Sequence, residues 1–523
     1  MRRILPLLAV LPLSACGGGG GSEPSGPPPI PTLNVTLAPA SQTIKAAEDA
    51  SETTFSFDAM QSGTTTDLVY PDVQYDKTLF ALQGTPTLAS GKYVVAFKTA
   101  KDLGGDSYKG NITFRLCRDA ACATVYPGST QTFAYTFDVQ LKDWEALQRN
   151  AAHTGYVRAT FDPASFKKAW DWTPAEAVVS PVSTKGAMVF VTRQNVDRTF
   201  SVHALSSVTG AESWAYNLGS VSHASAPSLA GNQIYTSTMV SSSSDNKNIV
   251  LNATTGQYLR STSFAAQWSF FAPPTPFGTE LYMAAGYYGG AVYGYNAIAG
   301  TQLWMAYATR GGPTDGETPA VDDKYVYYYT GRSLDIFDRM SGAVVKSISD
   351  PFAVSTGYSY RAGPILGSKG NAMAYSGTFY GGPSYTAGFS QPKILVNFSL
   401  ATSAYVWRTA DVYETVPALA KGVVYVARNN PTRLDAVSEE TGSVLWNWAP
   451  PTGEAFLGNA VATDTLVFIS TDKAVYAVST TGATHAPVWS AATPGEIAIS
   501  GDNRLIVSSR GASLNKLSAY TLR

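Results

Sequence analysis

The chain has 523 residues, with 37 Lys and Arg against 38 Asp and Glu for a formal charge of −1, and no run or stripe of cations stands out. That argues against nucleic-acid binding, which draws on clustered cations, and 45% hydrophobic residues exclude a disordered chain. The length calls for two or three domains or one large repeat architecture, and 14% charged residues, against about 25% in typical soluble domains, suit an exported β-rich protein.

Arg2 and Arg3 precede an apolar run from Ile4 to Leu13. Ten residues at about 1.5 Å each cannot cross a bilayer core of ~30 Å, so residues 1–16 read as a signal peptide. Leu13-Ser14-Ala15-Cys16 resembles the lipobox of bacterial lipoproteins, which implies acylation of Cys16. Gly17, rather than Asp, follows the cysteine, which resembles the outer-membrane sorting case of Gram-negative lipoproteins; the periplasmic and surface faces both stay open. Residues 17–32 are rich in Gly and Pro and form a linker, flexible and then stiff, reaching at most about 60 Å.

With Cys16 on lipid, Cys117 and Cys122 form a lone pair in an exported setting that permits a disulfide. A zinc site would need further ligands nearby, and His153, His203, His223 and His485 all lie well downstream. The flanking region, 33–141, alternates apolar and polar residues: Leu33, Val35, Leu37; Phe55, Phe57; Tyr93, Val95, Phe97; Ile112, Phe114, Leu116; Phe133, Tyr135, Phe137. About seven such runs over ~100 residues predict an immunoglobulin-like β-sandwich.

From residue 143 the chain repeats. VHALSSVTGAESW ends at Trp214, NIVLNATTGQYLR at Arg260, VYGYNAIAGTQLW at Trp304, LDIFDRMSGAVVK at Lys346, LVNFSLATSAYVW at Trp407 and LDAVSEETGSVLW at Trp446, with a looser copy ending at Trp489. The turn residues Gly210, Gly256, Gly300, Gly342, Ser403, Gly442 and Gly482 are spaced by 46, 44, 42, 61, 39 and 40 residues, the period of a four-stranded propeller blade. Four residues before the turn, Ser206, Asn252, Asn296, Asp338, Ser399 and Ser438 can bond the turn backbone. A last half copy, residues 504–520, lacks one strand, which the segment around Trp170 can supply. Residues 143–523 therefore predict an eight-bladed β-propeller closed between the Trp170 strand and the C-terminal blade.

The pattern A-x-x-x-x-T-G-x-x-x-W in Ala204–Trp214 and Ala436–Trp446, with the lead-in Trp144 and Gln148-Arg149-Asn150-Ala151-Ala152-His153-Thr154-Gly155, resembles the quinoprotein-like (pyrroloquinoline-quinone-repeat) β-propellers. The resemblance implies that Trp214, Trp304, Trp407 and Trp446 dock one blade on the next. Quinone enzymes of that superfamily hold calcium and often carry vicinal cysteines; this repeat region contains no cysteine and no haem-attachment motif. Asp315 and Glu317, in a Gly/Pro loop, are weak calcium candidates beside their reading as solvated turn acids, and Asp322 and Asp323 read as solvent-exposed turn residues. His153 has no acidic, Ser or Cys partner nearby in sequence and reads as a helix-ending or lid residue.

The 61-residue spacing holds an aromatic, Gly-rich insertion with Phe379, Tyr380 and Tyr385, and Tyr287 and Tyr288 form a second such patch. Both are candidate binding loops, or aromatics folded back on blade edges. With the lipobox, the repeat resembles the BamB type of outer-membrane lipoprotein, from which this chain departs by its preceding sandwich and linker. The resemblance implies a non-catalytic, lipid-anchored scaffold or adaptor in the outer membrane. It would bind envelope proteins, including the barrel-assembly machinery, and take no cofactor. The alternative is a quinone-dependent oxidoreductase or a glycan-binding propeller.

Overall fold

The computed structural model describes residues 29–49, 52–174, 177–240, 246–265, 273–285, 290–309, 318–354, 363–378, 392–510 and 515–523. These are almost entirely β, with a single short 3-10 turn, Pro163–Ser165. None of their helices is long and apolar enough to cross a membrane. Two compact units are present: the described residues up to Thr43 with Glu52–Ala100 and Lys109–Thr136, and Ile44–Ser51 with Lys101–Tyr108 and Phe137–Arg523.

The alternating residues of the first unit build two antiparallel sheets. One has the strand order Asn34–Ala38, Thr54–Ser62, Lys92–Thr99, Phe80–Leu82; the other has Ser41–Ala47, Gln131–Gln140, Asp106–Cys117, Tyr70–Gln74. Period-2 patterning turns every second side chain inward. Phe57 of one sheet stacks on Phe133 of the other with ring centroids 4.4 Å apart, and both are buried. Cys117 and Cys122 are disulfide-bonded with Cα atoms 5.0 Å apart, and the carboxylate of Asp119 accepts from the amides of Ala123 and Thr124 inside the loop.

The described strands of the second unit form eight sheets in chain order, spanning 177–219, 223–264, 275–307, 320–349, 365–408, 418–448, 456–491 and 495–521, each running from an inner to an outer strand. The last sheet takes its fourth strand from Lys167–Trp172, which pairs antiparallel with Leu517–Thr521 from Lys167↔Thr521 to Trp172↔Leu517. Inner strands of successive sheets lie side by side from the first to the fifth and from the sixth through the eighth back to the first, so the sheets ring a common axis. This is a β-propeller.

The turn between the third and fourth strands follows the repeat chemistry. Asn252 Oδ1 accepts from the amides of Thr254 (2.9 Å) and Thr255 (3.0 Å), and Gly256 N donates back to Asn252 O at 2.8 Å. Asn296 and Asp338 repeat this with carbonyl or carboxylate oxygens, and Ser206, Ser399 and Ser438 do it with hydroxyls. Ser403, which stands where the other turns have Gly, holds φ at +55°. Asp322 departs from the expected solvated turn acid: it is half-buried and accepts from Tyr327 Oη at 2.6 Å and from the amides of Lys324 and Tyr325, because the adjoining strand aims a tyrosine at it.

Candidate functional site

The lead-in, residues 144–157, winds around one end of the propeller axis. Its carbonyls point outward, and the inner strand of one sheet after another donates an amide to them: Thr184 to Trp144, Leu229 to Glu145, Val321 to Ala151, Leu366 to Ala152, Leu419 to Thr154 and Ala462 to Gly155, at 2.7–3.0 Å. The third sheet is met by His153, whose Nε2 lies 3.4 Å from Thr275 Oγ1 while Nδ1 lies 2.9 Å from Pro364 O. The eighth is reached through Asn459, which donates to both Gln148 Oε1 and Ile497 O. Gln148 Nε2 itself donates to Pro417 O and Ala460 O. To coil this tightly the backbone takes left-handed conformations at Gln148, Arg149, His153 and Gly155. A buried backbone needs partners for its polar groups, and here the inner strands of six of the eight sheets supply one.

His153 therefore neither ends a helix nor belongs to a lid. It is buried at the axis, where desolvation lowers its pKa to about 4 despite the opposing Pro364 carbonyl, so the ring is neutral at pH 7.

Beside this coil is a cleft of about 250 Å³, bordered by Glu48, Lys142, Asp143, Arg149 and Tyr156 among others. Its lining sets Glu48, Asp49, Asp143 and Glu145 against Lys142 and Arg149. Both oxygens of Glu48 meet the Arg149 guanidinium, and Glu48 also accepts from the amides of Lys142 and Arg158. Tyr156 Oη donates to Asp464, which pairs with Lys421 at 2.7 Å. Desolvation raises the pKa of Asp143, although the amide of Gly186 donates to it. Among the described residues no group of His, Cys, Asp and Glu could hold a metal. Nor do the residues at this end fit a quinone lying on the axis, because Gln148 and His153 fill it.

The docking tryptophans occupy equivalent places. Trp214 Nε1 donates to Ala253 O at 3.1 Å, Trp304 to Arg339 O at 2.9 Å and Trp407 to Glu439 O at 2.9 Å, each in the next sheet; Trp446 instead stacks on His485, with centroids 4.1 Å apart. The acceptor is always the residue after the polar residue that begins the turn. Trp170 makes the same contact, to Ser207 O at 2.6 Å, and two further donors do so that a tryptophan-based reading misses: Arg260 to Ala297 O and Lys346 to Leu400 O. Their place at the end of a repeat copy was the available signal, since the position requires a long N–H donor rather than an indole. Cys16, Asp315, Glu317, Tyr287, Tyr288, Phe379, Tyr380 and Tyr385 lie outside the described residues.

A ring of four-stranded antiparallel sheets, six of the eight docked on the next through a donor on the outer strand, defines a propeller of the pyrroloquinoline-quinone-repeat class. The family model described as outer membrane protein assembly factor BamB matches residues 153–351 and 202–447, more than half of the chain, and the chain belongs to that family. The crystal structure of BamB from Moraxella catarrhalis is similar in fold, with 15% identity over 68% of this chain and 99% of that one and a TM-score of 0.50. No curated protein matches the chain.

Proposed function

We propose that this chain is a lipid-anchored scaffold of the outer membrane that holds envelope protein partners, including components of barrel assembly, through its propeller. One observation carries the reading: in a ring of the BamB family, the lead-in seals one end of the axis with bonds to its own inner strands, so that end serves architecture and recognition falls to the surface. In this reading the lipobox cysteine Cys16 is acylated and residues 17–32 hold the folded units clear of the lipid. Phe379, Tyr380 and Tyr385, with Tyr287 and Tyr288, contact the partner. The strand order of the first unit supports an immunoglobulin-like spacer between linker and propeller. The scaffold uses no cofactor.

In-cell crosslinking of the full-length protein, followed by capture from detergent-solubilised envelope, tests this. Recovery of a barrel-assembly component, lost when Phe379, Tyr380 and Tyr385 are together replaced by Ser, is the expected result. Recovery of the bait alone from cells that acylate it would overturn the scaffold reading. Labelling with a palmitate analogue, absent in C16A, tests the anchor separately.

A further inference from the structure

The first propeller sheet carries a three-residue relay unrelated to the axis. Ser201 and His203 lie two apart on the strand Phe200–Ser206 and so share one face, and Glu212 opens the next strand, Glu212–Gly219. Ser201 Oγ is 2.8 Å from His203 Nε2, and His203 Nδ1 is 2.8 Å from Glu212 Oε2. An ionised carboxylate only accepts, so Nδ1 carries the proton and the lone pair of Nε2 faces the serine hydroxyl, which donates to it. Trp172 leans over the imidazole, with centroids 5.4 Å apart, and burial lowers the pKa of His203, keeping it a neutral base at pH 7. Arg193 stands directly opposite Ser201 in the strand pairing and therefore on the same face.

We propose that Ser201, His203 and Glu212 form a nucleophilic acyl-transfer site on the flank of the propeller, acting on small carboxylic esters. Ser201 Oγ adds to the ester carbonyl carbon as its proton passes to His203 Nε2. That proton moves to the alcohol oxygen as the C–O bond breaks, leaving the acyl group on Ser201. Water then adds to the acyl carbon, giving a proton to Nε2, and Ser201 leaves with that proton as the carboxylic acid departs. Ser201 is the nucleophile, His203 the general base and acid, and Glu212 the positioning residue that fixes the tautomer; the charge of Arg193 favours the oxyanion. Ser201 keeps 9% of its surface, and Glu212 42% of its side chain, which restricts the site to small acyl groups.

The test treats full-length protein with a fluorophosphonate probe and maps the label by peptide mass spectrometry, alongside turnover of p-nitrophenyl acetate. The expected result is label on Ser201, none on that peptide in S201A, and a rate lower by on the order of 10²-fold in H203Q and in E212Q, rising with pH through one ionisation below 6.5. S201A removes only a hydroxyl, and its thermal transition, matched to the parent, separates loss of the nucleophile from loss of fold. Should H203Q fail to fold, alkylation of S201C with iodoacetamide reads the same base: a pH profile matching that of a free thiol overturns the proposal. So does an unlabelled parent, or labelling that survives in S201A; either would make the three side chains a structural hydrogen-bond chain. Barrel-assembly capture by S201A, unchanged from the parent, keeps this inference distinct from the scaffold reading.

Discussion

Trp304 Nε1 donates to the carbonyl oxygen of Arg339 at 2.9 Å, and the same indole lies so close to Gly342 that a Cβ on that glycine would sit 2.5 Å from its Cδ2. One residue thus bonds the neighbouring turn and fills the space its glycine leaves open. Trp214 stands in the same relation to Ala253 and Gly256, and Trp407 to Glu439 and Gly442. The repeat keeps Gly in these turns for two reasons that act together, a left-handed φ and an indole in contact.

Gly342→Ala is therefore expected to destabilise the propeller by about 2–4 kcal/mol, from the left-handed backbone and the overpacking combined. Trp304→Ala removes the wedge itself and should cost about 3–5 kcal/mol. Urea titration followed by Trp fluorescence and circular dichroism checks both. A loss below about 0.5 kcal/mol for Gly342→Ala, the range of ordinary surface changes, would show that the contact can relax.

His153 makes stability depend on acid. Its folded pKa, about 4, is depressed from the ordinary 6.5, so in that window the unfolded chain binds the extra proton and the native chain does not. Stability from this group is fully present above pH 6.5 and is lost as pH falls toward 4, by roughly 3 kcal/mol in all. His153→Gln should flatten that part of the profile while lowering stability at pH 7. Paired melting curves at pH 4.5 and 7 isolate the effect, because the carboxylates titrate alike in both proteins; parallel profiles would remove His153 from this role.

Arg149→Met leaves Glu48, which is 1% exposed, without its cation. Breaking such a pair by removing one partner is expected to cost about 3–5 kcal/mol. Adding Glu48→Gln should recover part of the loss, since the amide removes the stranded charge while its single carbonyl oxygen still accepts from one of the two backbone amides, Lys142 or Arg158, that Glu48 binds. A double-mutant cycle measures the coupling, and additive losses would mean that the two ions stabilise the fold independently.

Truncation after Asn503 removes both C-terminal strands and with them the partner of Lys167–Trp172. Calorimetry of that variant should show the propeller transition lost or broken into broad steps, because two sheet edges are exposed at once. A single sharp transition near the parent temperature would mean that closure through this strand does not hold the ring.

Much of the fold was legible because its determinants are local. Alternation of period two specifies strands with an inner face, as at Phe133, Tyr135 and Phe137, and a polar residue four positions before Gly or Ser403 specifies the turn. The orphan strand around Trp170 could be paired with the C-terminus because the last repeat copy lacked one strand. The expected helix end or lid at His153 failed because sequence neighbours say nothing of a carbonyl 211 residues away. Arg260 and Lys346 were passed over as docking residues because the repeat was read by its indoles, whereas the packing selects an N–H donor of sufficient reach.

The sequence by itself determined a β-rich, repeat-built chain with a disulfide pair, since composition, period and turn chemistry act between residues close along the chain. Only the tertiary structure decided what fills the end of the axis and which side chains meet there. Gln148 bonds carbonyls 269 and 312 residues away, and Glu48 meets an arginine 101 residues on. Even the Ser201, His203 and Glu212 relay, short as it is in sequence, depends on the face and register that strand pairing imposes. Contacts of that kind are set by strand register and tertiary packing, which no local pattern encodes.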